Sequence, residues 1–142
     1  LEETGMGFGK EVEMVRLASK MDLFSIVYVA TPDEARHMAD AGADAIIAHV
    51  GTTVGGSIGV TEASCSMDEA AERTQAIIDA GKAVNPALFF LAHGGPINTP
   101  DDVRLILERT TVQGFVGASS LERMGVEESL TELTRKFKGL SI

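Results

Sequence analysis

Cysteine is nearly missing from this chain: Cys65 is the only one in 142 residues, so no disulfide can form within it and a reducing, cytoplasmic setting is the natural expectation. Positive charge is also scarce. Twelve Lys and Arg stand against 21 Asp and Glu, a formal net charge of -9. That excess disfavours a nonspecific hold on nucleic-acid phosphates or anionic membranes, and any anion site has to be built by local geometry. Long apolar runs are absent too, since each is interrupted within a few residues. The opening Leu1-Glu2-Glu3-Thr4 has neither the basic nor the apolar region of a signal peptide. A start at Leu1 reads as the edge of something longer.

What is present is a regular alternation. With 44% hydrophobic residues, positions 1–142 make one domain with a real core and no room for two. Lys10 to Met21 reads as an amphipathic helix with an apolar stripe at Met14, Leu17, Ala18 and Met21, flanked by Val12 and Val15. Phe24 to Val29 reads as a buried strand. Thr31-Pro32-Asp33-Glu34 is a capping box with a first-turn proline, opening a helix that buries Ala35, Met38 and Ala39 and stops at Gly42. Ala45 to Val50 is a second strand, and Ser66 with Glu69 caps a long helix whose inner positions run from Met67 to Val84. Leu88 to Ala92 is a third strand. Thr99-Pro100-Asp101-Asp102 repeats the capping device for a helix burying Val103, Ile106 and Leu107, and Gly114 to Val116 is a fourth strand. Val126 to Phe137 closes the chain as a helix with Leu130, Leu133 and Phe137 inward.

Small residues collect after the strands. Gly94 and Gly95 follow the third strand and Gly117-Ala118-Ser119-Ser120 the fourth, where main-chain donors, hydroxyls and a helix start converge. Such a turn is an anion site in outline. Gly55, Gly56 and Ser57, in the glycine-rich loop 51–59, add further donors. In an eight-stranded β/α barrel the loops after the last two strands commonly hold a phosphate. Four strand-helix units are half of such a barrel. The alternatives are therefore its second half or an open four-stranded sheet with helices on both faces.

Five ordered motifs narrow the choice. Leu1-Glu2-Glu3-Thr4-Gly5-Met6-Gly7, Ala41-Gly42-Ala43-Asp44, His49-Val50-Gly51 with Gly55-Gly56-Ser57-Ile58-Gly59, His93-Gly94-Gly95-Pro96-Ile97 and Gly114 to Arg123 closely resemble the phosphoenolpyruvate hydrolase-like family of TIM-barrel proteins. The same motifs are similar to the C-terminal module of the plant tobamovirus-inhibitor proteins. The resemblance implies an α/β fold that is the C-terminal half, strands 5–8, of a (β/α)8 barrel in the phosphoenolpyruvate/pyruvate superfamily. It also implies a magnesium ion whose carboxylates lie mostly in the upstream half, with Glu2 and Glu3 the local candidates. Thr52 and Gly125 depart from the family pattern.

His49 and His93 end consecutive strands and are the candidate acid/base pair, because imidazole titrates near neutrality. The alternative for each is to pin a glycine loop. His37 reads as a surface residue. The two strand-end histidines lack the spacing of a protein-ligated zinc site. Glu122 and Arg123 join the catalytic candidates, Arg123 as a fork for carboxylate or phosphate, with a rim ion pair as the alternative. Ser57, Ser119 and Ser120 have no nucleophile elbow around them and read as hydroxyl donors, and Cys65 as an inert small residue. The expected function is an enzyme, hydrolase or lyase, for a small phosphorylated or α-keto acid, self-associating as a homo-oligomer. The rival is a non-catalytic barrel serving as a ligand-sensing or protein-interaction module.

Overall fold

The computed structural model describes residues 2–4, 7–56 and 59–140, and of positions 2 and 123 it describes the backbone. After a 3-10 turn at Glu2–Thr4 the elements alternate as α1 (Phe8–Lys20), β1 (Ile26–Val29), α2 (Pro32–Ala41), β2 (Ala45–His49), α3 (Met67–Val84), β3 (Phe89–His93), α4 (Pro100–Arg109), β4 (Gly114–Phe115) and α5 (Met124–Lys138). A π-helical turn, Ser119–Arg123, leads into α5.

The helix starts follow from local chemistry. At Thr31, Ser66 and Thr99 the side-chain oxygen accepts the backbone N–H three residues on, and the acid there reaches back to the cap's own N–H, completing all three capping boxes. Hydrogen bonds from the Ser66 backbone and hydroxyl hold the Glu69 carboxyl below its usual value. Burial works the other way on Asp102, yet the bonds from Thr99 and Asn98 outweigh it and keep that carboxyl low as well.

The four strands are parallel and lie in sequential order β1-β2-β3-β4. Register places Val27, Ile46 and Phe90 in one row and Val29, Ala48, Ala92 and Phe115 in the row two residues on. Side chains in these rows share a face, because the strand period is two. That face meets the helices: the rows form one core with Val12 and Val15 of α1, Met38 of α2, Ile77 and Ile78 of α3 and Ile106 of α4. At Gly81 of α3 an added Cβ would come 2.6 Å from the Phe90 ring, so glycine sets how closely α3 lies on the sheet. The opposite face, carrying Ile26, Tyr28, Phe89, Leu91, His49 and His93, contributes nothing to this core. The helices therefore lie on one side, unlike the open-sheet alternative with helices on both.

Several apolar positions are not covered as the periodicity implies. Met14, Leu17 and Met21 of the α1 segment are exposed, Met14 at 70%, and Val12 and Val15 make the contact instead. Val84 and Leu107 are also exposed, as are Leu130, Leu133 and Phe137 of α5, which has no buried residue. Phe24 and Ile26 make β1 a half-open strand rather than a buried one. The physical reason is common to α1, β1 and α5: β1 and β4 are sheet edges, and no further element among the described residues lies beyond them.

Each fully exposed Leu, Ile or Phe forgoes about 1.5–3 kcal/mol of burial, so such a surface favours association. The isolated chain is expected to sediment as an oligomer, and a compact monomer with sharp cooperative unfolding would contradict this account of its edges. Thr99→Ala is expected to cost about 1 kcal/mol in urea unfolding, and no loss would show that the α4 cap contributes nothing.

Candidate functional site

β2 ends at His49 and β3 at His93, and the two residues are register partners on the open face. Tyr28 of β1 is the partner of Ile47, two positions before His49, and so shares that face. The three rings gather at the C-terminal ends of the strands. Their centroids lie 5.2 Å apart for His49 and His93, 5.2 Å for Tyr28 and His93, and 5.9 Å for Tyr28 and His49, with Tyr28 edge-on to both imidazoles. His93 is nearly buried and His49 half-buried. Burial and then the neighbouring His93 hold the His49 imidazole below its ordinary value, since both penalise a charged ring.

Backbone groups fix both rings. His93 Nδ1 lies 2.7 Å from the Val116 carbonyl oxygen, and the Gly51 N–H donates to His49 Nδ1 at 3.3 Å. The loops that carry these partners are knitted together. Gly95 N–H donates to the Gly51 carbonyl at 2.6 Å, Val50 N–H to the His93 carbonyl at 3.1 Å, and Asn98 Nδ2 to the Val54 carbonyl at 3.2 Å. Gly94 has φ of 81°, and a Cβ there would collide with the Gly51 carbonyl oxygen, so the two loops approach this closely because residue 94 is glycine. Gly94 and Gly95 are buried, and the Gly95 amide is engaged within the protein.

The other candidates lie around this pair. Val116 N–H donates to the Ala92 carbonyl and prolongs the β3–β4 ladder, after which Gly117, Ala118, Ser119 and Ser120 form the turn into the π-helical segment, all half-buried. The Leu121 and Glu122 amides both donate to the Ala118 carbonyl, at 3.0 and 2.7 Å. Gly55 donates to the Val60 carbonyl, and the Met124 side chain packs over it. Gly56 faces a groove of about 360 Å³ lined by Glu127, Glu128, Glu132 and Arg135 among others, to which neither histidine contributes. A smaller hollow of about 250 Å³ reaches His49 but not His93, between Phe8, Tyr28, Ala30, Glu34 and His49. Glu34 is held there by the Ala30 and Thr31 amides. Glu122 is exposed, while Ser57 and the Arg123 side chain lie outside the described residues. Cys65 is buried with its Sγ 3.6 Å from the Val50 carbonyl oxygen. His37 is exposed on α2, near the Phe8 ring.

Tyr28 is the member that sequence reasoning passes over, because it sits inside a strand rather than at its end. Its signal is parity: in parallel register it falls on the face of the strand-end histidines. Glu3 is exposed, and the Glu2 side chain lies outside the described residues. Among the described residues no three His, Cys, Asp or Glu side chains converge as a metal site. Among them, too, no helix is long and apolar enough to cross a membrane.

Comparison with known proteins gives this geometry a family. Two tomato (Solanum lycopersicum) proteins, the ToMV susceptible protein tm-1(GCR26) and the ToMV resistance protein Tm-1(GCR237), are 49% and 48% identical over 143 aligned residues. The alignment takes in 100% of this chain and 19% of either relative, so the chain spans less than a fifth of their length. Among solved structures, the N-acetylmannosamine-6-phosphate 2-epimerase from Clostridium perfringens is similar with a TM-score of 0.53 at 14% identity. That likeness covers 86% of this chain and 48% of the epimerase chain, and speaks for the fold alone. A family profile described as phosphoenolpyruvate hydrolase-like matches residues 1–140. A four-stranded parallel β/α layer with its histidines at the strand ends is what this match covers, and the chain belongs to the phosphoenolpyruvate hydrolase-like family.

Proposed function

We propose that the chain is the C-terminal half, strands 5–8, of a (β/α)8 barrel acting as a hydrolase or lyase on a small phosphorylated or α-keto acid, with His49 and His93 handling protons. The observation that carries this reading is the pairing of the two imidazoles, 5.2 Å apart, at the C-terminal ends of adjacent strands. Barrel enzymes place their chemistry at that end of the strands. Sequential strand order, helices on one side and an opposite face left partly open, with Ile26, Tyr28 and Phe89 exposed, are what half of a barrel presents. The match to about half of the epimerase chain agrees with this division.

In this reading the turn from Gly117 to Ser120 holds the anion, because the first amides of a helix lack intrahelical partners and face its positive end. Gly55, Gly56, Gly94 and Gly95 shape the rim, Ser57 would supply a hydroxyl donor, and Glu122 and Arg123 follow the turn in sequence. Two imidazoles, with no converging carboxylates among the described residues, do not fit magnesium, which takes oxygen ligands. The reading therefore routes no step through that ion, and its carboxylates would have to come from the upstream half. The protein would work in the cytoplasm as a homo-oligomer, without nucleic-acid or membrane partners.

A second reading, a ligand-sensing or protein-interaction module without turnover, draws on the names of the two tomato relatives, which are a virus-susceptible and a virus-resistance protein.

In the full-length protein, phosphate or phosphoenolpyruvate at 100 times its Kd is expected to stabilise the fold by about 2.7 kcal/mol, read as a rise in Tm. Ala118→Asp is expected to remain folded and to lose that rise, since its carboxylate would take the anion's place. Asp79→Asn, on the exposed side of α3, is expected to keep it. A folded Ala118→Asp protein stabilised as strongly as the parent would place the anion elsewhere.

The lowered His49 value also sets a pH dependence. Between that value and about 6.5 the unfolded chain binds more protons than the folded one, so stability falls as pH falls through this window. The urea midpoint is expected to drop between pH 7.5 and 5.5, and His49→Asn is expected to flatten part of the drop. A midpoint that rises on acidification would contradict the burial of a neutral His49.

A further inference from the structure

The backbone partners of the two imidazoles are of opposite kind. A carbonyl oxygen only accepts, so His93 Nδ1, 2.7 Å from the Val116 oxygen, carries the ring's hydrogen. A neutral imidazole has one such hydrogen, which leaves His93 Nε2 with a free lone pair. An amide N–H only donates, and the Gly51 nitrogen lies 3.3 Å from His49 Nδ1, while the ring's contact with its own carbonyl favours a hydrogen on that same nitrogen; where the Gly51 amide prevails, Nδ1 accepts and the hydrogen of the ring sits on Nε2.

Neither partner can easily reverse its role. The Gly51 carbonyl is held by the Gly95 N–H, and Gly51 has φ of 127° with Ser64 packed where a Cβ would stand. Val116 is anchored by its own N–H to the Ala92 carbonyl. Tyr28, itself exposed, stands beside the arrangement with its ring at 74° to His49 and 69° to His93, in edge contact with both imidazoles.

We propose that Gly51 and Val116 hold the two histidines in opposite tautomers, making His93 Nε2 the proton acceptor and His49 Nε2–H the hydrogen-bond donor of the site, with Tyr28 as their positioning residue. The assignment rests on the proton-handling reading of the pair and divides the labour within it. A C–H or O–H proton of the ligand moves to the His93 Nε2 lone pair, and the electron pair of the broken bond stays on the ligand. His93 becomes an imidazolium whose Nδ1–H remains on the Val116 carbonyl. The charge left on a ligand oxygen accepts the His49 Nε2–H bond, and His49 keeps its proton, because a neutral imidazole donates a hydrogen bond far more readily than it ionises. His49 Nε2 lies 3.6 Å from the place a Cβ would occupy at Gly94, so the β3 loop passes beside that nitrogen.

The test is long-range proton–nitrogen NMR at pH 7.5 on the full-length protein labelled with 15N in histidine, the two rings being assigned by signals lost in His49→Gln and His93→Gln. The expected pattern is a protonated-type Nδ1 with a bare Nε2 for His93, and the reverse for His49. The same tautomer in both rings, or the opposite assignment, overturns the proposal. Tyr28→Phe is expected to preserve the pattern, and Tyr28→Leu to shift both rings towards averaged nitrogen frequencies. Unchanged frequencies in Tyr28→Leu overturn its positioning role. The tautomers are read without any ligand, so opposed tautomers in a protein that gives no anion response uphold this assignment while sinking the catalytic reading.

Discussion

The hydrogen bond from the Gly95 amide to the Gly51 carbonyl, 2.6 Å long, is the constraint on which the rest of the site depends. Parallel register alone brings the Cα atoms of His49 and His93 side by side; it does not orient their rings. Orientation comes from the loop at the end of each strand. The β2 loop turns back so that the Gly51 amide meets His49 Nδ1, while the β3 loop folds under it, and the two can touch only because residues 51, 94 and 95 adopt positive φ. Once knitted, the loops hold a nearly buried imidazole against a half-buried one with little freedom in either, at the cost of three positions that tolerate no side chain.

A pair held in this way can do chemistry that two independent histidines cannot. Burial and then the neighbouring His93 hold the His49 imidazole below its ordinary value, and a neutral imidazole with one nitrogen committed to the backbone offers a single defined function at the other. Family membership does not by itself name a reaction, since one barrel scaffold hosts many chemistries. The reaction has to be argued from the site, and here the site brings together two imidazoles and a tyrosine ring.

Much of the fold was legible in the sequence, because it rests on local chemistry. Thr31, Ser66 and Thr99 announce their helices through side-chain bonds to nearby amides, and those bonds need no tertiary partner to form. The histidines were legible for a similar reason: each stands at the end of an apolar run, His93 directly before Gly94 and His49 two residues before Gly51. Coverage was not legible. Periodicity groups Met14, Leu17 and Met21, or Leu130, Leu133 and Phe137, on a common face, yet it says nothing of whether an element lies against that face, and at both ends of this sheet none does among the described residues. Tyr28 was hidden because its relation to His49 exists only through the register of β1 on β2. The tautomers were hidden one level deeper, in which backbone atom each Nδ1 meets.

If the two imidazoles act as one unit, their contributions to ligand binding cannot be additive. The direct measurement is a double-mutant cycle on phosphoenolpyruvate affinity in the full-length protein, with His49→Gln, His93→Gln and the pair together. A coupling of about 1 kcal/mol or more, the double variant binding little worse than either single one, is the predicted result. Losses that simply add, within about 0.5 kcal/mol, would contradict it and leave two histidines that are neighbours without being partners.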